Sequence, residues 1–334
     1  MNLLQRMNSS AATDFDLCGI TYGSEVLYNL GYYIKSIAEE AERLETEEKL
    51  YVACMFGDFV LQISIIKKLI SFTDLTSLNA NDSAKTVKKL IDKAAQPLAL
   101  SLLNDGSISC AAACVYPCLV KAAVAHRNLI CSLGRPSISV VTVAGAFPSG
   151  MYKLTTKVHE CQEAKEDGAD EIDVVINRGL VATHNWKELY DELIAMRKVI
   201  TPPTLMKTIL STGDIASPLD IYAAAMVAMM AGSSFIKSST GKEKLNSTVP
   251  GSLVICLAIR SFFLRYRRQV GFKAAGGIKT AQEAIVYYVL VKQILGERWL
   301  TKDFFRIGAS ELLDDLLMTL EMLSFGDASS DGTS

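Results

Sequence analysis

Short apolar stretches alternate with helix-period segments along most of this chain. Four consecutive stretches each carry one ionisable residue at their centre: EIDVVI with Asp173, LMKTIL with Lys207, SSFIKSS with Lys237 and GFKAAGG with Lys273. Apolar runs of this length between helical patterns read as strands of a sheet covered on both faces. Strands are expected to centre on Phe72, Ala112, Val141, Asp173, Lys207, Lys237, Lys273 and Ile307, at separations of 40, 29, 32, 34, 30, 36 and 34 residues. One strand, its helix and the return take about 30 residues. Eight such units close a parallel (β/α)8 TIM barrel, which needs about 250 residues. An open doubly wound sheet is the weaker alternative, because no G-x-G-x-x-G follows a strand.

The intervening helices carry their own start and stop signals. Trp186, Leu189, Tyr190, Leu193 and Ile194 fall at helical spacing behind Asn185, which is placed to cap them. Ser217-Pro218-Leu219-Asp220 supplies a cap, a proline at the first helical position and an acid at the third, and Gly232 ends that helix. Thr280 and Glu283 form a capping box behind Gly276-Gly277. Three segments are expected: a helical extension over 1–67 that plugs or flanks the barrel, the barrel over 68–325, and a small, polar, disordered tail over 326–334.

Composition narrows the classes of function. The 334 residues are half hydrophobic with a net charge of -2, so no basic footprint for nucleic acid appears. MNLLQRMNSS lacks the order of a signal peptide. The apolar helix IYAAAMVAMMA is shorter than the roughly 20 residues of a membrane span. A cytoplasmic protein without membrane partners is expected, and a homo-oligomer is compatible with the sequence. Cys110, Cys114 and Cys118 recur every fourth residue, but no CxxC pair accompanies them, and Cys110 and Cys114, in the apolar run ISCAAACVY, read as small hydrophobes. His126, His159 and His184 do not pair at ligand spacing. Neither a metal nor another cofactor is expected.

A charge inside a covered strand must be paired or it costs several kcal/mol. Three lysines and one aspartate at matching depth suit a lysine amine made nucleophilic for Schiff-base chemistry. A free lysine, with pKa about 10.4, is protonated at neutral pH and cannot attack a carbonyl. A drop of three units needs roughly 4 kcal/mol, which desolvation and one close cation can supply. Lys237 and Lys273 lie on neighbouring strands, and Asp173 can carry protons. Strands six, seven and eight run into Ser239-Thr240-Gly241-Lys242, Gly276-Gly277-Ile278-Lys279 and Gly308-Ala309-Ser310. Glycines there let backbone N–H groups face a phosphate. Gly241-Lys242 is not a Walker A loop, because Glu243 stands where serine or threonine is required.

FIKSSTGK, EIDVVINRG, LMKTILSTGD, GFKAAGGIKTAQEA and FRIGASELL, with FTDLTSLNAND and CVYPCLV, resemble the motifs of the deoxyribose-phosphate aldolases, especially their eukaryotic branch. The resemblance runs from about Ser71 to Leu313. It implies a class I, metal-independent aldolase that interconverts 2-deoxy-D-ribose 5-phosphate with D-glyceraldehyde 3-phosphate and acetaldehyde. By motif, Lys237 would form the Schiff base, Lys273 would depress its pKa and Asp173 would shuttle protons. Asp74 and Lys207 would line the substrate pocket. Gly241, Gly276, Gly277, Gly308 and Ser310 would meet the phosphate, with Lys242 and Lys279 beside them. Three departures stand out: Ala274 replaces the family's usual proline, Glu311 follows Ser310, and the tail has no tyrosine. Two rivals remain open: an aldolase for another phosphorylated aldehyde, and a weakly active phosphosugar-binding homologue.

Overall fold

The computed structural model describes residues 59–97 and 108–328. Its eight strands are β1 (Thr73–Thr76), β2 (Ala112–Val115), β3 (Ser139–Ala144), β4 (Glu171–Val175), β5 (Leu205–Ile209), β6 (Phe235–Lys237), β7 (Gly271–Ala275) and β8 (Phe305–Ala309). All pair in parallel in chain order, and β8 pairs with β1 to close the barrel. Residues on both faces of most strands are buried, which accounts for their near-continuous apolar runs.

Helices cover the outside: α1 (Phe59–Phe72), α2 (Ala84–Ala95), α3 (Val120–Ser132), α4 (Leu154–Glu166), α5 (Arg178–Ala182), α6 (Trp186–Val199), α7 (Pro218–Met230), α8 (Val249–Tyr266), α9 (Ala281–Leu295) and α10 (Leu312–Ala328). The expected caps are present. Asn185 accepts from Glu188 N–H, Ser217 accepts from Leu219 N–H, and Thr280 and Glu283 bond reciprocally. Gly232, with φ 98°, follows the end of α7. Leu189, Leu193 and Met196 on α6 are fully buried against the sheet.

Several expectations are corrected by the structure. Phe72 ends α1 instead of centring a strand, and β1 starts at Thr73, whose hydroxyl donates to Leu69 O at 2.8 Å. The boundary expected at residue 67 falls inside α1. This helix packs on α10, α9 and β8, so it flanks the barrel and does not plug it. Residues 1–58, including the first of the two helical patterns, lie outside the described residues. Helix α10 runs through Ala328, into the stretch expected to be disordered, since a lone Gly326 is tolerated in a helix. Among the described residues the longest apolar helix is α8, not the IYAAAMVAMMA helix α7 that the sequence singles out. Among the described residues α8 alone is long and apolar enough to cross a membrane, but its inner face is buried on β7, α7 and α9.

The main core lies between the strands and the helices. A second, small cluster sits inside the barrel, where Leu78, Ala112, Cys114, Val141 and Val143 pack with Tyr116 and Phe147. The interior is therefore divided. The β2–β3 side is apolar, while the charged residues come from β1 and from β4 through β8.

Candidate active site

Seven ionisable side chains converge inside the barrel and are buried: Asp74 on β1, Glu171 and Asp173 on β4, Lys207 on β5, Lys237 on β6, Lys273 on β7 and Arg306 on β8. Side chains alternate along a strand, so Glu171 and Asp173, two residues apart, point to the same face. The lateral register pairs Asp173 with Lys207, Lys237 with Lys273, and Lys273 with Arg306. Lys207 itself lies opposite Phe235, so the lysines do not share one lateral row as their spacing suggested. Long stems bring their amines to the same carboxylates.

Asp173 is the hub. One of its oxygens accepts from Lys237 at 2.9 Å and from Lys273 at 2.8 Å, and the other accepts from Lys207 at 3.2 Å. Asp74 forms an ion pair with Lys273 at 2.5 Å and accepts a hydrogen bond from Arg306 at 2.6 Å. Arg306 reaches on to Glu171 at 2.9 Å, and Glu171 also holds Lys207. The Phe235 ring lies under this floor, with Lys207 and Arg306 at 5.7 and 5.6 Å from its centroid. Two glycines make the packing feasible. A Cβ at Gly271 would lie 2.3 Å from the Phe235 ring, and one at Gly308 would lie 2.9 Å from Lys273 Cε.

The electrostatics separate the lysines. Burial lowers the proton affinity of Lys237; Asp173 opposes that and Lys273 reinforces it, and the net shift is downward. The main cause is thus desolvation, with the neighbouring cation second. Burial also acts against the charge on Lys273, but Asp173 and Asp74 outweigh it and its pKa rises. Burial would neutralise Asp173, yet three lysines hold it well below the usual carboxylate range. Asp74 and Glu171 are likewise ionised by the cations around them, against the penalty of burial. The cluster thus holds one amine whose proton affinity is lowered beside another whose proton affinity is raised.

Most of the residues expected at a phosphate lie in the loops that follow β6, β7 and β8. Gly241, Gly276 and Gly277 have φ of 80°, 83° and 82°, a region open to glycine at no steric cost. A Cβ at Gly276 would lie 2.8 Å from Ser239 Oγ, so the β6 and β7 loops close on each other there. Ser310 is exposed at the end of β8. Gly308, on β8, also makes room for the Lys273 stem. Lys242 donates to Leu78 O at 2.8 Å, bridging the β6 loop to the β1 loop. Lys279 pairs with Glu311 at 3.1 Å in solvent, and its backbone N–H is taken by Glu283. Glu311 therefore points outward.

Sequence reasoning missed Glu171, Arg306 and Glu243. The signal for Arg306 was present, since FRIGA also holds one charge within an apolar strand. Glu243 accepts from Thr240 N–H at 3.1 Å and lies 3.8 Å from Arg178, which in turn donates to Ser211 at 2.8 Å. It ties the β6 loop to the loops after β4 and β5. Cys110 and Cys114 are buried in apolar surroundings, and burial pushes the Cys110 thiol up to about 12. His126, His159 and His184 each lie beside a carboxylate on the outer helices.

A parallel eight-stranded barrel with a lysine amine buried among fixed charges at its centre defines an aldolase of the Schiff-base class. The chain belongs to the DeoC/LacD family of aldolases, whose family model matches residues 68–310. It is 48% identical over 261 residues to the deoxyribose-phosphate aldolase of Mus musculus, covering 76% of this chain and 80% of that one. The Homo sapiens enzyme of the same name is 45% identical over the same length and shares. A deoxyribose phosphate aldolase from Aeropyrum pernix, solved as a tetramer, shares the fold at 24% identity with a TM-score of 0.56, covering 80% of this chain and 98% of that one.

Proposed function

We propose that this chain is a deoxyribose-phosphate aldolase in which Lys237 forms the Schiff base. The observation that carries the reading is the Lys237 amine: buried, weakened as a base, and 2.9 Å from a carboxylate that also holds Lys273. The uncharged amine attacks C1 of the open-chain sugar phosphate. Proton transfer through Asp173 and Lys273 releases water and leaves a protonated imine. The C3 hydroxyl then loses its proton, the C2–C3 bond breaks, and glyceraldehyde 3-phosphate departs. The bonding pair enters the imine as an enamine. Protonation at C2 and hydrolysis release acetaldehyde and restore the amine. The positively charged imine is the electron sink, so the cleavage itself asks for no metal.

The glycine rim of Gly241, Gly276 and Gly277, with Ser310, would hold the 5-phosphate. Lys242 is within the same loop and would exchange the Leu78 carbonyl for the phosphate. Lys207 and Asp74 would line the buried side of the substrate pocket. Self-association is the expectation from the tetrameric relative, and sedimentation velocity would read it. The reaction is tested by incubating the protein with 2-deoxy-D-ribose 5-phosphate and measuring both aldehydes. Release of equal amounts, abolished by Lys237→Leu in a folded protein, is expected. Release that survives Lys237→Leu would refute the assignment.

A further inference from the structure

Four cationic side chains in the barrel, Lys207, Lys237, Lys273 and Arg306, meet three carboxylates, Asp74, Glu171 and Asp173, and all seven are buried. One cation is in excess. The carboxylates are shared unevenly. Arg306 engages Asp74 and Glu171; Lys273 engages Asp74 and Asp173; Lys207 engages Glu171, Asp173 and, at 3.6 Å, Asp74. Lys237 pairs with Asp173 alone, and that carboxylate already serves two other lysines. The Cys114 thiol facing it from β2 is kept neutral by burial and adds no charge. Among the described residues neither Arg306 nor Glu171 forms an ion pair with Lys237. When Lys237 gives up its proton, the remaining charges balance and every carboxylate stays paired. An unbalanced buried charge is what such an interior disfavours most.

We propose that Arg306 and Glu171 are positioning residues that set the charge state of Lys237 in opposite directions, Arg306 holding it uncharged and Glu171 moderating that effect. Arg306 supplies a cation that never deprotonates at working pH, and its fork draws Asp74 and Glu171 to the barrel floor, away from Lys237. This rests on the reading of Lys237 as the nucleophile. It gives the two residues opposite effects. Arg306→Met leaves three lysines facing three carboxylates, so Lys237 is protonated and the acid limb of activity moves to higher pH. A shift of one unit is a tenfold loss on that limb. Glu171→Gln leaves four cations facing two carboxylates, and the acid limb moves to lower pH. The double variant has three cations and two carboxylates, so the excess returns and the limb moves back toward the native position.

The test is the pH dependence of kcat/KM for deoxyribose 5-phosphate cleavage, which reports groups of the free enzyme. It is run on the native protein, both single variants and the double. Beside it, Lys237 is trapped with acetaldehyde and cyanoborohydride across the same pH range and mapped by peptide mass. Opposed shifts, with reversal in the double variant, are expected. Residues that merely pack would lower activity without moving the limb, and two lesions would compound. Shifts of the same sign, no shift, or a double variant worse than both would overturn the proposal. If Arg306→Met does not fold, Glu171→Gln decides alone: a downward shift supports the proposal and any other result refutes it. Arg306→Lys, which keeps the charge, should hold the limb nearer the native pH than Arg306→Met. Trapping at another lysine in the native protein would sink the Schiff-base assignment instead, which separates the two failures.

Discussion

Replacing Lys273 by leucine should convert Lys237 from a nucleophile into an ammonium. Both amines touch the same oxygen of Asp173, at 2.9 and 2.8 Å, so they are no more than about 5.7 Å apart. At the effective dielectric of about 20 that suits buried sites, two like charges at that separation repel by about 3 kcal/mol. Removing that repulsion raises the Lys237 pKa by about two units. The figure is a lower bound, because the Asp173 oxygen freed from Lys273 turns fully to Lys237 and adds to the rise. The acid limb of kcat/KM should therefore move up by about two pH units. At neutral pH the rate of trapping by acetaldehyde and cyanoborohydride should fall about a hundredfold, and raising the pH should recover it. Added salt should recover little, since the charges are shielded from solvent. An acid limb that stays in place, or moves down, would refute the electrostatic account of Lys237.

Three further outcomes follow from the same geometry. Lys237 holds its proton less tightly in the folded chain than in the unfolded one, so it lowers stability at neutral pH, and this cost disappears above the unfolded pKa of about 10.4. Lys237→Met should raise Tm near pH 7, with a gain that shrinks as pH rises toward that value; calorimetry showing a lower Tm would contradict it. Gly308→Ala places a methyl 2.9 Å from Lys273 Cε and should cut kcat/KM about tenfold by displacing that amine while the melt stays nearly unchanged, and unchanged kinetics would contradict it. Glu311→Ser should leave KM within about threefold, because Glu311 is exposed and paired with Lys279, whereas a tenfold improvement would place the carboxylate against the phosphate.

The barrel was legible because eight strands recur at nearly even spacing with capping residues between them. The Asp173, Lys207, Lys237 and Lys273 set was legible because a charge inside a covered strand has few structural uses. The first strand was misplaced at Phe72 because apolar residues, Leu69, Ile70, Phe72 and Leu75, recur on both sides of the junction in LISFTDLT. Periodicity does not separate the last helical turn from the first strand residues there, and only the Thr73 hydroxyl on Leu69 O marks the change. Glu171 and Arg306 were passed over for a different reason. Their importance lies in which carboxylate each cation takes, and that depends on contacts between β8, β1 and β4, which lie far apart in sequence. Gly308 showed the same limit. Its sequence context resembled a phosphate loop, but the close approach of Lys273 exists only in three dimensions.

The central claim is that Lys237 alone carries the imine. Incubating the native protein with acetaldehyde and borohydride, then digesting it and mapping peptides by mass, tests this most directly. An ethyl group on the peptide containing Lys237, formed from acetaldehyde and also from deoxyribose 5-phosphate once it is cleaved, is the expected result. Labelling confined to Lys207 or Lys273 would contradict the account.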